Sequence, residues 1–301
     1  MRKRHGRCFW DFHSDGGRFR LGLLYRTVPL VPLFCETVLP MTAYFNQLSD
    51  DRFSGNPPAR GPWSEYFCHA GPVAGLVARA FERAVPEKDL TRMTFDLLRP
   101  VPLAELRISV EVHRDARSVA TATAQVCDKE DRVCVTATSM HLIRTDFAEM
   151  PTAPVSPLHR RDAAPGEPPL PRGAHGEPSF AGFIEVAYPE GESHEPGPKT
   201  VWMKTPPLLA NETPSPVQSL CPLADCGNGL SRNAPFEEMG FLNTDLTIHI
   251  HCEPRSEWLA SETVSHWQDT GIGLAHAVIR DEEGPVAAVL QTLLLRPPPK
   301  A

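Results

Sequence analysis

From Phe241 to His251 the chain reads FLNTDLTIHIH, with polar and apolar residues alternating strictly from Asp245 onward. Successive side chains of a strand point to opposite faces, so the pattern predicts one strand. Leu242, Thr244, Leu246, Ile248 and Ile250 share one side, and Asn243, Asp245, Thr247, His249 and His251 share the other. The same region closes with VAAVLQTLLLRP, an apolar run long enough for a buried strand, interrupted by Gln291. An amide buried there needs hydrogen-bonding partners.

Comparable patterns fill the rest of the chain. MTAYFNQLSDDRF, from Met41, predicts a short strand, and the Gly- and Pro-rich GNPPARGPWSEYFCHAGP a loop. In GPVAGLVARAFERAV, residues 71–85, Val73, Leu76, Val77, Ala80 and Phe81 fall at helical spacing, and Pro86 ends the helix. MTFDLLRP, LRISVEVHRD, SVATATAQVCD and VCVTATSMHLIR then read as four strands joined by short turns. The second half repeats this order. SPVQSLCPLADCGNGLS, residues 215–231, occupies the helix slot, and FLNTDLTIHIH, WLASETVSHW, GLAHAVIRDEEG and PVAAVLQTLLLR follow as strands. Aligning Arg144 with Arg296 brings the acidic turns KED and DEE into register and sets Gln291 opposite Ser139. Two halves that share a scaffold but differ at one polar position fit a duplicated site of which one copy keeps its chemistry.

Composition narrows the class. With 301 residues, 41% of them hydrophobic, the chain can bury one large core or two smaller ones, and no run of about twenty uncharged apolar residues predicts a membrane span. A net charge of −7 argues against a nucleic-acid partner. Eight scattered cysteines without a CxxC pair point to reduced thiols in a cytoplasmic protein rather than to zinc or disulfides. Residues 1–40 begin with the basic MRKRHGR, and Arg26, Pro29, Pro32 and Glu36 break the apolar stretch that follows. They are expected to be a disordered upstream extension, with Met41 as the working start. Residues 41–147 form the first unit, 148–178 a proline-rich linker excluded from helix and interior strand, and 179–298 the second unit, which carries the site. SFAGFIEVAYPEG and KTVWMK read either as the opening strands of that second unit or as an irregular surface loop.

At the level of residues, RGPWSEYFCHAGPVAGLVARAFE followed by FDLLRPVPLAELRISVEVHRDARSVATATAQV resembles the first half of acyl-CoA thioesterases of the TesB-like type and their actinobacterial relatives. PLADCGNGL, NTDLTIHIHCEPRSEWL and PVAAVLQTLLLR resemble the second half. The resemblance rests on the order and spacing of these stretches together, and covers nearly everything after Met41 except the linker. It implies an α+β double hotdog, two tandem hotdog repeats, each an antiparallel sheet wrapped on a central helix. It also implies hydrolysis of fatty acyl-CoA to free acid and CoA, a thioester hydrolase of class 3.1.2, with no cofactor and no metal; coenzyme A is part of the substrate. In such enzymes an aspartate, a hydroxyl or amide residue and a glutamine hold one water, and these match Asp225, Asn243 and Gln291 here. The best-known members have threonine where Asn243 stands. Thr244 is the substitute if the register slips by one, although alternation puts it on the opposite face.

The chemistry calls for these residue types independently. Thioester hydrolysis needs an aimed water, a proton acceptor and donors for the oxyanion. Gln291 and Asn243 can orient the water, and Asp225, if burial lifts its pKa above about 3.9, can take the proton. Backbone N–H groups near Gly71 or at Gly227 are oxyanion candidates. Against these stand plainer readings: Asp225 as a helix cap, Gln291 as a core amide, Asn243 as a strand-start residue, and His249 with His251 as a surface pair without metal. His69 reads either as an acid–base group, as in hotdog dehydratases, or as a loop histidine near the surface. A hydrolase is expected to hold its acyl chain in an apolar channel between helix and sheet. The alternatives are a double hotdog that binds acyl thioesters without turnover, and a dehydratase, which requires a histidine and a carboxylate across the two halves. Exposed sheet edges would allow a homodimer of double hotdogs.

Overall fold

Each half of the chain wraps an antiparallel sheet around a helix, and the two sheets join edge to edge. The computed structural model describes residues 43–296 except 172, 174, 175, 193 and 194, so the expected extension at 1–40 and the start at Met41 lie outside the described residues. The first half runs β1 (Phe45–Gln47), β2 (Arg52–Gly55), α1 (Ala70–Ala84), β3 (Asp89–Leu97), β4 (Leu106–Asp115), β5 (Val119–Asp128) and β6 (Val133–Leu142). Where one opening strand was expected there are two, because the backbone turns back through residues 48–51. The second half runs β7 (Ala163–Gly166), β8 (Glu185–Pro189), β9 (Lys199–Lys204), α2 (Pro216–Ala224), α3 (Gly227–Leu230), β10 (Gly240–Asn243), β11 (Asp245–Ile250), β12 (Leu259–Trp267), β13 (Ile272–Arg280) and β14 (Pro285–Arg296). The strand order is β1-β2-β4-β5-β6-β3-β11-β14-β13-β12-β9-β8-β7, with β10 also on β14. β3 and β11 form the antiparallel seam, at which Thr94 faces Thr247. The linker contributes β7 despite Pro165, since β7 ends the sheet and needs hydrogen bonds on one side only. No helix among the described residues is long and apolar enough to cross a membrane.

α1 is buried over most of its circumference, with Val73, Ala74, Leu76, Val77, Ala78 and Phe81 inside the core, because the sheet covers one side and α2 the other. The helix slot of the second half is broken in two. Ser215 caps α2 by accepting the Gln218 N–H at 3.1 Å, Pro216 follows at the first helical position, and Pro222 lies inside the last turn. α2 stops at Ala224, Asp225 and Cys226 form the joint, and α3 begins at Gly227.

The continuous strand expected from Phe241 to His251 is interrupted at Thr244. Asn243 pairs with Leu293 and Thr247 with Leu290, so β10 and β11 together hold one residue more than the facing part of β14. This bulge reverses the alternation. Phe241 is buried and Leu242 exposed before it, whereas Leu246, Ile248 and Ile250 are buried after it. Asn243 therefore faces inward with Phe241 and does not share a face with Asp245, Thr247 and His249, which corrects the polar row read from the sequence. Asp245 supports the irregularity, its Oδ1 accepting the Thr292 N–H at 2.6 Å. Asp245→Ala is expected to lower stability by about 1 kcal/mol, read as a shift of the denaturant midpoint; an unmoved midpoint would mean the bulge holds without its cap.

The same bulge occurs in the first half, between Leu90 and Arg92 in the pairing of β3 with β6. Thr91 donates its hydroxyl to Met140 O at 3.0 Å there, and Thr244 donates to Thr292 O at 3.2 Å in the second half. The internal repeat thus extends to a backbone defect and the hydroxyl that spans it.

Candidate active site

Where α2 gives way to α3, Asp225 is 4% exposed and surrounded by hydrogen-bond donors from both halves. Its Oδ1 accepts from Asn243 Nδ2 at 2.6 Å and from Gln291 Nε2 at 2.9 Å. Its Oδ2 accepts from the Gly71 N–H at 3.1 Å and lies 3.1 Å from His69 Nδ1. Sequence positions far apart meet because three devices converge. The α2–α3 break turns Asp225 toward the sheet, the bulge at Thr244 turns Asn243 inward, and the period-two pattern of β14 places Gln291 on its core face with Ala287, Val289 and Leu293.

His69 is the residue that sequence reasoning placed least well. It is the N-cap of α1, its Nδ1 3.3 Å from the Gly71 N–H, and its ring stacks on Phe180 with centroids 4.2 Å apart. It is part of a buried pair made across the two halves rather than a loop histidine near the surface. Burial pushes the Asp225 carboxyl up from the usual carboxylate range, with His69 and the Asn243, Gly71 and Gln291 donors pulling it back. Burial pushes the His69 imidazole down, and Asp225 opposes that shift. Asn228 was not singled out from the sequence at all. Its side chain donates to Asn243 Oδ1 and its N–H donates to Gln291 Oε1 at 3.2 Å. A lone amide between two glycines, three residues after the aspartate, was the available signal.

The other candidates divide. Gly71 reaches the site, but its N–H is taken by Asp225. Gly227 allows close packing, since a Cβ there would lie 3.1 Å from Thr263 Oγ1 and 3.2 Å from Gln291 Oε1. Thr244 is exposed, its hydroxyl on Thr292 O, and is not brought to the carboxylate. Behind Gln291 the space between α3 and the sheet is filled by hydroxyls. Ser231 bonds Gly227 O at 2.8 Å and Ser265 Oγ at 2.9 Å, and Thr263 bonds Gly227 O at 3.2 Å. The acyl channel expected between helix and sheet does not open there.

The cavity lies on the opposite side of the carboxylate. About 420 Å³ is enclosed by Trp63, Phe67, Phe180, Phe236 and Phe241, with Leu170 of the linker and Arg99 also on its wall and Asp225, His69, Asn228 and Asn243 among its polar lining. A larger open hollow of about 680 Å³ along the linker contains none of the polar group.

The pseudo-twofold between the halves explains why there is one such site. α1 and α2 cross with Gly71 on Pro222 and Gly75 near Gln218. The paired bulges set Leu90 at the position of Asn243, and Ser139 stands for Gln291. Ser139 bonds His141 Nε2 at 3.0 Å, where Gln291 bonds a carboxylate.

Solved structures with the same architecture are numerous. A Novosphingobium aromaticivorans protein provisionally described as a thioesterase superposes with a TM-score of 0.67 at 18% identity, over 84% of this chain and 98% of that one. A hot dog fold protein from Alicyclobacillus acidocaldarius gives 0.63 at 15% identity, over 86% and 97%. The acyl-CoA thioesterase II TesB2 of Mycobacterium marinum gives 0.54 at 21% identity, over 85% and 96%. These likenesses, with two helix-wrapped antiparallel sheets in tandem, define a double hotdog. Residues 59–142 match the family model of the acyl-CoA thioesterase N-terminal domain, and residues 158–295 that of the acyl-CoA thioesterase C-terminal domain. Together the two take in well over half of the chain, in order, and the chain belongs to the acyl-CoA thioesterase family. No curated protein sequence matches it.

Proposed function

We propose that the protein hydrolyses acyl-CoA to the free acid and CoA, with a water activated at Asp225 and oriented by Asn243 and Gln291. The observation that carries this reading is the convergence of two carboxamides on one oxygen of a buried carboxylate at the wall of an apolar, aromatic-lined cavity. In the reaction the water oxygen bonds to the thioester carbonyl carbon while its proton passes to the Asp225–His69 pair. The tetrahedral intermediate then expels the CoA thiolate, which needs little acid assistance, and leaves the carboxylic acid. Asn243 gives one N–H to Asp225, and its second is the donor for the water or the developing oxyanion. The cavity takes the acyl group against its aromatic rings, at roughly 0.8 kcal/mol per buried methylene.

The direct test is thiol release from acyl-CoAs of increasing chain length, followed over a pH range of about 4 to 9. The working base is the carboxylate, and burial raises its pKa, so protonation removes it at a higher pH than for an ordinary aspartate. The expected profile therefore loses activity on acidification with a limb above about 4, the ordinary value. Tight acyl-CoA binding with no thiol released would replace this reading with that of a non-catalytic acyl-thioester binder. A second enzymatic reading is favoured by the contact between His69 of the first half and Asp225 of the second, the pair that a hotdog dehydratase uses. Water loss from 3-hydroxyacyl-CoA, with no thiol released, would establish it instead.

A further inference from the structure

The orientation of the amides around Asp225 can be traced to two backbone donors. The Gly229 N–H donates to Asn228 Oδ1 at 2.6 Å, and a backbone N–H can only donate. The oxygen of the Asn228 carboxamide is thereby fixed, and its Nδ2 donates to Asn243 Oδ1. Asn243 in turn presents Nδ2 to Asp225 Oδ1 at 2.6 Å. On the second branch the Asn228 N–H donates to Gln291 Oε1 at 3.2 Å, which turns Gln291 Nε2 to the same carboxylate oxygen. Either carboxamide, taken alone, could be turned end for end with little change of shape. Both branches pass through residue 228, and together they leave one arrangement. Asp225 Oδ1 faces two N–H groups, and a carboxyl proton has its place only on Oδ2, beside His69 Nδ1.

We infer that Asn228 is a positioning residue of this site: its side chain holds the Asn243 amide with the N–H end toward Asp225 and so keeps Oδ1 an unprotonated acceptor. Asn228 works through Asn243 and takes no part in bond making. An amide at 243 creates a choice that a hydroxyl would not, because a threonine hydroxyl rotates to donate or accept as needed, whereas a carboxamide has one donor end and one acceptor end. The amide at 228 removes that choice. With its side chain truncated, the Asn243 amide is free to turn its oxygen toward Asp225 Oδ1, and that oxygen–oxygen contact is relieved when the carboxyl is protonated. The titratable groups facing Asp225 are His69, at the start of α1, and the adjacent Cys226 thiol, itself pushed up by burial. β10 and β14 contribute only the two amides.

The inference rests on the thioesterase reading for its kinetic readout, so the test carries a second readout that does not. The pH dependence of kcat/KM is measured for wild type, Asn228→Ala, Asn243→Thr and the double variant. The Asp225 carboxyl is titrated in each by carbon-13 NMR of protein labelled at aspartate, with thermal unfolding to verify folding. With Asn243 in place, Asn228→Ala is expected to raise the acid limb and the carboxyl titration by about one pH unit, a tenfold loss of rate at pH values within the limb. In the Asn243→Thr background the same truncation is expected to move neither by more than about 0.3 unit. Equal shifts in both backgrounds, or none in Asn228→Ala, would overturn the positioning role. If wild type releases no thiol the thioesterase reading falls, and the carboxyl titrations alone decide between the same two outcomes.

Discussion

Asp225→Asn and Gln291→Ala are each expected to lower thiol release from acyl-CoA by at least about a hundredfold while substrate binding is retained. The two losses have different causes. Asparagine at 225 keeps an oxygen for the amides of Asn243 and Gln291 but has no basic lone pair to take the water's proton, so the fall appears in kcat and no acid limb remains. Alanine at 291 leaves the base in place and removes one of the two donors that shape it. It also strands the Asn228 N–H that Gln291 Oε1 had accepted. This second variant should therefore keep an acid limb, moved upward because the carboxylate has lost a hydrogen bond that favoured its charged form. The aromatic walls that would hold the acyl group are untouched by either change, so KM or a direct binding constant should stay within a few fold. If both variants retain turnover, the carboxylate is a structural acceptor and the water is activated elsewhere. If binding is lost along with turnover, the group holds substrate and the assignment of roles fails.

The architecture was legible because its signals are local. The period-two runs of β3 to β6 and β12 to β14, the 3.6-residue spacing of α1, and the repetition of one order in both halves each belong to a single stretch of chain. Gln291 stood out as an amide inside an apolar strand, whereas Asp225 and Asn243 were matched through the resemblance to the family. What escaped reading depends on contacts between distant segments. The letters mark the bulge only by a run of three polar residues, Asn243 to Asp245, which a polar turn or strand end would also give, and only pairing with β14 shows that the faces exchange. This error of one face mattered, because the sequence put Asn243 with Asp245 and His249 and the fold puts it with Phe241, facing the carboxylate. The place of His69 depends on α2 crossing the start of α1, which no local pattern reports. Asn228 gains its meaning only once Asn243 and Gln291 are known to flank it. The duplicated bulge, with Thr91 standing to Met140 as Thr244 stands to Thr292, shows that the halves share a backbone irregularity although Leu90 and Ser139 stand in the first where Asn243 and Gln291 stand in the second.

Gly71→Ala is expected to cost about 3 kcal/mol of stability and most of the activity, a larger effect than for the other glycine of α1, Gly75. A Cβ at residue 71 would lie 2.5 Å from Pro222 O and 3.0 Å from Pro222 Cα, and both are backbone atoms that no rotamer change can move. Relief requires α1 and α2 to part at the place where the two halves meet. That movement would also draw the Gly71 N–H away from Asp225 Oδ2, and His69, two residues earlier, with it. Gly75→Ala is the matched control. Its Cβ would meet chiefly the Leu208 side chain, at 2.8 Å and 3.2 Å, with Gln218 O at 3.3 Å, and a leucine can turn. Alanine also favours a helix over glycine by roughly 1 kcal/mol at an interior position, which offsets part of the contact at residue 75. Denaturant midpoints and kcat/KM for the two variants, measured side by side, separate the close crossing from a general intolerance of α1 to added volume. Equal losses would mean that the helix is simply full. A loss confined to Gly71→Ala would mean that the approach of α1 to Pro222 is what brings His69 and the Gly71 N–H to the carboxylate, so that the contact joining the halves and the contact shaping the site are one and the same.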